Sequence, residues 1–277
     1  MLRRLACVTV AAALALGALA VPASAAEDSR AAPQYLALGD SLAFGYQPTR
    51  VFDQGYVNQL YASLHARDAR LALTNLGCPG ETSHSLVAGG KCPYPGGVSQ
   101  LEAALAFLRA HRHQVRLVTI DIGGNDVNGC VSLATGIDEN CFRQGLFTIA
   151  LNLFVTVAAL RHAAPEATIV GMTYYDTVLA AYPTGPAGQA LAKASLPLVH
   201  QLNGLLTLIY RLARFRVADV AGAFSTDDMT TIVNGLPLDV VRICQWTWMC
   251  APKPLGPDIH ANQAGYGVIA RAFRDVL

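Results

Sequence analysis

Short apolar runs alternate with longer segments of helical spacing along most of the chain. The apolar runs lie at residues 35–38, 71–75, 117–122, 168–172 and 216–220, and the helical segments at residues 56–67, 99–111, 146–163 and 189–214, with a last one after Asn262. Such apolar runs are typical of strands buried on both faces, and parallel strands need a crossover helix between them. The pattern predicts an α/β fold, a three-layer sandwich with helices on both faces of one parallel sheet of about five strands.

The amino terminus has the order of a cleavable secretory signal. Arg3 and Arg4 precede an apolar stretch over residues 5–21, and the small residues 23–25 follow it. This charge, apolar core and small-residue site predict cleavage after Ala25 and secretion, with a retained membrane anchor as the alternative. We expect residues 1–25 to be a signal peptide and residues 26–277 to be a single domain, because no change of composition marks a second one.

The charge balance argues against nucleic acid as a partner. The chain has 20 Lys and Arg against 19 Asp and Glu, and loss of Arg3 and Arg4 leaves 18 basic residues and a formal charge of −1. A protein that binds nucleic acid or an anionic membrane normally carries a basic surface. The most apolar later stretch, residues 146–160, is shorter than the roughly 20 residues that span a bilayer, so we expect a buried helix and no stable membrane insertion.

Six cysteines remain after removal of the signal segment, and their even number in an exported chain favours three disulfides. Many pairings are possible, but the cysteines form three close couples in the sequence. The predicted bridges are Cys78–Cys92, Cys130–Cys141 and Cys244–Cys250. A zinc site is the competing interpretation, which the absence of any Cys-x-x-Cys disfavours.

Four polar motifs follow strand ends or precede the last helix. Ser41 lies in a Gly-Asp-Ser-Leu run directly after the first strand, Gly80 and Asn125 follow the next two strands, and His260 precedes the final helix. Each alone has a structural interpretation as a helix cap, a turn or a helix start. Because the carboxyl ends of parallel strands meet at one edge, the four residues are expected to lie together, as a nucleophile, its base and oxyanion donors must.

With these motifs in this order, residues 35–277 resemble the SGNH family, also called GDSL esterases and lipases. The resemblance implies a flavodoxin-like α/β/α sandwich that hydrolyses esters without a cofactor or a metal. It also implies that Ser41 is the nucleophile and His260 the general base. The oxyanion hole would be formed by the backbone N–H groups of Ser41 and Gly80 and by the Asn125 side chain.

The third member of a catalytic triad is less regular. The family usually places two residues between the orienting aspartate and the histidine, whereas one residue separates Asp258 from His260 here. We expect Asp258 to hold the imidazole through a different turn. The alternative is a Ser–His dyad whose ring is held by a backbone carbonyl.

The predicted function is therefore that of a secreted serine hydrolase acting on small-molecule or lipid carboxylic esters. The alternatives are a polysaccharide O-acetyl deacetylase with the same mechanism and a catalytically silent secreted binding module. Three stretches, residues 127–145, 182–188 and 225–256, are expected to be long loops that wall the site. Trp246 and Trp248 in the third stretch would either line an acyl pocket or pack the loop against the domain.

Overall fold

A computed structural model describes residues 31–94, 96–132 and 135–277 of the chain. Residues Ala32–Leu277 form one compact unit. The expected signal segment, residues 1–25, lies outside the described residues.

Five parallel strands form the central sheet, in the order β2-β1-β3-β6-β7. In chain order the strands are β1 Gln34–Gly39, β2 Ala72–Asn75, β3 Val115–Asp121, β4 Val131–Ser132, β5 Gly136–Ile137, β6 Thr168–Met172, β7 Arg216–Ala218, β8 Ile232–Val233, β9 Leu236–Pro237, β10 Thr247–Trp248 and β11 Asp258–Ala261. The remaining strands form three two-stranded antiparallel pairs, β4 with β5, β8 with β9 and β10 with β11. The predicted fold class is confirmed, and the strand order is that of flavodoxin-like sheets.

Helices cover both faces of this sheet. They are α1 Ser41–Phe44, α2 Tyr56–His65, α3 Ser83–Ala88, α4 Gln100–Ala110, α5 Gly124–Val127, α6 Glu139–Ala163, α7 Pro186–Leu212, α8 Val220–Ala223, α9 Leu238–Trp246 and α10 Gln263–Arg274. Helix α2 packs on α10, and α6 packs on α3, α4 and α7. Strand β1 is buried along its whole length because helices lie on each side of it.

Helix α6 differs from the buried helix that we expected. Its inward face buries Ile149, Leu153 and Val157, but Phe147 and Phe154 on the outward face are 66% and 58% exposed. Among the described residues, α6 is the one helix long and apolar enough to cross a membrane by length and composition, and 28% of its most apolar stretch is buried. High hydropathy alone therefore did not distinguish a helix packed on one side from one enclosed on all sides.

All three expected loops contain regular structure. Residues 182–188 include the end of a 3₁₀ segment, Thr177–Thr184, and the first turn of α7, which begins at Pro186 rather than at residue 189. Helix α6 begins at Glu139, well before residue 146, because the Asp138 side chain accepts a hydrogen bond from the Cys141 amide and caps it. The stretch over residues 225–256 contains the β8–β9 pair and helix α9. Helix α9 is short and buries Val240 and Ile243 at a three-residue spacing, too few positions to stand out from the surrounding loop.

The three disulfides have the expected pairing, Cys78–Cys92, Cys130–Cys141 and Cys244–Cys250. The paired cysteines are 14, 11 and 6 residues apart, so each bridge closes a short local loop. None of the six cysteines lies in a strand of the central sheet.

Candidate active site

Ser41 begins helix α1 at the carboxyl end of strand β1. Asp40 caps this helix, because its Oδ1 accepts a hydrogen bond from the Leu42 amide at 2.8 Å. Gly39 has a φ of 137°, and a Cβ on it would lie 2.3 Å from the Asp121 carbonyl oxygen. A larger residue cannot adopt this conformation or fit this space, so Gly39 sets the sharp turn that presents Ser41. The Ser41 side chain faces a cavity.

His260 comes from strand β11, which pairs with β10 near the other end of the chain. Its Nε2 lies 2.7 Å from the Ser41 hydroxyl oxygen, and its Nδ1 lies 2.6 Å from Asp258 Oδ1. A carboxylate at Nδ1 fixes the tautomer in which that nitrogen carries the proton, leaving Nε2 free to accept one from serine. The fold thus joins the three side chains in one hydrogen-bonded series, although Ser41 and His260 are 219 positions apart in the sequence.

A tight turn allows Asp258 to reach the ring across one intervening residue. Asp258 Oδ1 also accepts a hydrogen bond from the His260 backbone amide at 2.9 Å, which folds the carboxylate back over the imidazole. The Tyr175 hydroxyl donates to the carbonyl of the intervening residue, Ile259, at 3.0 Å and also holds the turn. Burial raises the pKa of Asp258, but the hydrogen bonds from His260 outweigh burial and hold that pKa below its usual range.

The two other expected oxyanion residues, Gly80 and Asn125, are linked through Glu81. Gly80 lies in the turn after β2 with a φ of 77°, a conformation that favours glycine. The next residue, Glu81, accepts a hydrogen bond at its backbone carbonyl from Asn125 Nδ2 at 2.9 Å. Asn125 lines the cavity, whereas Gly80 is not among the described residues that line it. The Ser41 amide begins a helix, where backbone N–H groups have no partner within the helix.

Two buried aspartates hold the turn over residues 39–41, the nucleophile turn, and the sequence motifs gave neither of them a role: Asp40 lies within the turn and Asp121 lies beside it. Asp121 Oδ2 accepts hydrogen bonds from the amides of Asp40 and Ala43 at 3.3 and 3.2 Å, and its Oδ1 accepts one from the Tyr56 hydroxyl at 2.5 Å. The Tyr174 hydroxyl donates to Asp40 Oδ2 at 2.9 Å. Burial, and then the charge of Asp40, raise the pKa of Asp121 well above its usual range, and burial also raises the pKa of Asp40.

A cavity of about 440 Å³ opens at Ser41 and His260. Most of its lining is apolar and comes from helix α7, the 3₁₀ segment Thr177–Thr184 and the loops beside α5 and β10. Met249 and Ala251, in the stretch after β10, also line the cavity. Neither Trp246 nor Trp248 is among the described lining residues, which favours the packing interpretation of these tryptophans over the acyl-pocket interpretation.

Trp246 packs against neighbouring side chains. Its ring meets Phe224 edge-on at 5.2 Å between centroids, and the Arg242 guanidinium lies 4.4 Å from the ring centroid. The contact with Phe224, which follows α8, holds the end of α9 against the domain, whereas the Arg242 contact lies within α9 itself.

The sequence profile of the GDSL-like Lipase/Acylhydrolase family matches residues 37–268, which include all five site residues. The chain belongs to this family. A search of curated proteins gave no match.

Solved structures of GDSL-type and other lipases share the family fold with the chain. An extracellular lipase from Streptomyces rimosus has 17% identity, a TM-score of 0.57 and coverage of 89% of this chain and 100% of that one. A phospholipase A1 from Streptomyces albidoflavus has 19% identity, a TM-score of 0.54 and the same coverage. The lipase Lip_vut3 from a goat rumen metagenome has 16% identity, a TM-score of 0.58 and coverage of 88% and 97%. At these identities the likeness shows the fold alone.

Proposed function

We propose that this GDSL family member is a carboxylic ester hydrolase that forms an acyl-enzyme on Ser41. The observation that carries the proposal is the unbroken hydrogen-bonded series from Asp258 through His260 to Ser41. A serine hydroxyl becomes a useful nucleophile only when a base takes its proton, and a base acts best when a third group orients it. In this series His260 is the base and Asp258 is the group that orients it.

The reaction then follows in two halves. Ser41 Oγ attacks the ester carbonyl while His260 Nε2 takes its proton, and the resulting oxyanion is stabilised by the Ser41 and Gly80 amides and the Asn125 side chain. The tetrahedral intermediate breaks its bond to the alkoxide, which leaves with the proton from His260. Water repeats these steps on the acyl-enzyme and releases the acid. These steps need no cofactor.

The cavity favours esters with an apolar acyl group. Its volume of about 440 Å³ falls within the range of small-ligand sites, and most of its wall surface is apolar. An acetyl group would leave most of this space empty. A lipid-like ester is therefore a better substrate than an acetylated polysaccharide.

Secretion is the second part of the proposal. The signal-like residues 1–25 precede a domain with three disulfides, which persist in oxidising compartments. One fold relative is described as extracellular. We place cleavage after Ala25 and the mature single domain at residues 26–277.

The test is a series of p-nitrophenyl esters of increasing chain length, assayed beside acetylated xylan and phospholipid vesicles. The wild type is expected to hydrolyse medium-chain esters faster than acetate, and Ser41→Ala is expected to be inactive with an unchanged far-UV spectrum. A fluorophosphonate probe is expected to label Ser41. Preference for acetylated xylan would favour the deacetylase, and no turnover with no labelling would show a silent binding module.

A further inference from the structure

Gln100 is a fully buried amide beside the nucleophile turn. It is the first residue of helix α4, and none of its surface is exposed. A buried amide costs stability unless its donors and acceptor are satisfied. The partners of Gln100 therefore indicate what this side chain does.

The amide of Gln100 pairs with both backbone groups of Gly39. Its Oε1 accepts a hydrogen bond from the Gly39 N–H at 2.6 Å, and its Nε2 donates to the Gly39 carbonyl at 2.9 Å. The side chain thus contacts the backbone as a neighbouring strand would, two residues before Ser41. Cys78, in the loop that contains Gly80, also donates its amide to the Gly39 carbonyl, at 3.1 Å.

The same amide extends to residues 76–82, the loop between β2 and α3 that contains Gly80 and is called the oxyanion loop below. Gln100 Nε2 lies 3.1 Å from Glu81 Oε2 and 3.0 Å from the Tyr94 hydroxyl, and that hydroxyl donates to the same carboxylate oxygen. Glu81 is fully buried, follows Gly80 directly, and accepts the Asn125 amide at its carbonyl. One side chain therefore contacts the turn that presents Ser41 and the residue that links Gly80 to Asn125.

We infer that Gln100 is a positioning residue that holds the nucleophile turn and the oxyanion loop at a fixed separation. This inference rests on the proposed function. Gln100 touches no reacting atom. Its effect follows from preorganisation, because oxyanion donors stabilise the transition state only when they already point at the place where charge develops. Loss of the amide is thus expected to lower kcat more than it raises KM.

The first test is Gln100→Met, which keeps the length of the side chain and removes its hydrogen bonds. We expect kcat for a p-nitrophenyl ester to fall about 10- to 100-fold, with KM within about threefold of wild type. The matched control is Gln34→Met. Gln34 is a buried glutamine at the other end of β1 whose amide donates to the Ala32 carbonyl, and its loss is expected to leave kcat unchanged.

Two further variants keep the inference testable if Gln100→Met does not fold. Gln100→Glu has the same shape but places a second carboxyl beside Glu81, and it retains a donor only while protonated. Its kcat relative to wild type is expected to fall as pH rises, which a loss of packing would not produce. Tyr94→Phe removes the hydroxyl that bonds to Glu81, at a half-buried position, and is expected to lower kcat by a smaller factor.

The outcomes separate this inference from the proposed function. Suppose that the wild type is active and Ser41→Ala is inactive. The positioning role alone would then be overturned by an unchanged kcat in Gln100→Met, or by equal losses of kcat in Gln100→Met and Gln34→Met. A kcat for Gln100→Glu that rises relative to the wild-type kcat as pH rises would overturn it as well. An inactive wild type whose Ser41 resists the fluorophosphonate probe would instead overturn the proposed function.

Discussion

Asp258 reaches the His260 ring although a single residue separates the two. Its Oδ1 accepts hydrogen bonds from both the ring and the backbone amide of His260, so the turn is closed by the carboxylate itself. The usual family spacing, with two residues between the aspartate and the histidine, is one way to bring a carboxylate to Nδ1. The turn over residues 258–260 is another. The geometry favours a triad over a dyad.

Replacing Asp258 by asparagine tests the triad. Asparagine keeps the shape but cannot stabilise the imidazolium that forms when His260 accepts the serine proton, and it permits the wrong tautomer. We expect kcat to fall by about 10³- to 10⁴-fold with little change in thermal stability. Asp275→Asn, at an exposed position near the carboxyl terminus, is the control and is expected to match wild type. Near-full turnover in Asp258→Asn would favour the Ser–His dyad.

The local motifs predicted where Ser41, Asn125 and His260 would lie because strand ends can be recognised from apolar runs. Gln100 and Asp121 gave no comparable signal. Their partners Gly39 and Asp40 are 61 and 81 residues away in the sequence. A buried polar side chain that serves a distant turn looks, in the sequence, like any polar residue at the end of a helix or strand.

Asp121 gives a prediction about stability and pH. Burial, and then repulsion from Asp40, raise its pKa well above the usual range, so the folded protein keeps a proton that the unfolded chain releases. Unfolding then releases a proton, and rising pH favours unfolding until the folded-state pKa is passed. Each proton held in this way lowers the free energy of unfolding by about 1.4 kcal/mol per pH unit.

The Asp121→Asn variant cannot titrate at this position. Its free energy of unfolding in urea is expected to decline less steeply than that of wild type as pH rises above the ordinary pKa range of a carboxyl group. Asp53→Asn, on the surface, is expected to keep the wild-type slope. An unchanged slope in Asp121→Asn would show that Asp121 is ionised in the folded protein.

At the scale of elements, helix α7 forms one wall of the cavity. The side chains that contribute to this wall lie on one face of the helix at spacings of three and four residues. They are Leu191, Ser195, Leu198, Val199 and Leu202. The helix was predictable from its length and apolar spacing, but its role as a wall was not, because the same face would equally suit a helix packed on the sheet. Helix α9 was missed for the opposite reason, since it is too short to show a period.

The α7 wall can be narrowed by Leu198→Trp. Leu198 is partly buried and borders the cavity, so the larger ring is expected to occupy space that an acyl chain would use. Each methylene that loses its burial costs about 0.8 kcal/mol, so loss of two lowers kcat/KM about 15-fold for long esters. Short esters are expected to be hydrolysed at the wild-type rate.

The control for this variant is Leu208→Trp, on the same helix, because Leu208 is 56% exposed and is not among the described lining residues. It is expected to keep the wild-type preference across a series of p-nitrophenyl esters. Equal losses on short and long esters in Leu198→Trp would mean that the cavity does not bind the acyl chain.

At the scale of the molecule, the disulfides stabilise the loops around the site rather than the layers of the sandwich. The Cys78–Cys92 loop contains Gly80, the Cys130–Cys141 loop contains the cavity residue Val131, and the Cys244–Cys250 loop contains Met249. The sheet and its helices are connected by a continuous core instead. We expect the fold to survive loss of any one bridge and the activity to depend on which bridge is lost.

Two pairwise alanine variants test this division of roles. Removing a bridge is expected to cost about 2–4 kcal/mol of stability in either variant, measured in urea, with the far-UV spectrum retained. Loss of Cys78 and Cys92 frees the loop that contains Gly80 and is expected to lower kcat at least tenfold with little change in KM, because an oxyanion donor loses its fixed position. Loss of Cys244 and Cys250 loosens a cavity wall and is expected to raise KM most for long-chain esters. If both variants kept the wild-type kcat and KM, the loops would be held by packing alone and the bridges would serve only global stability.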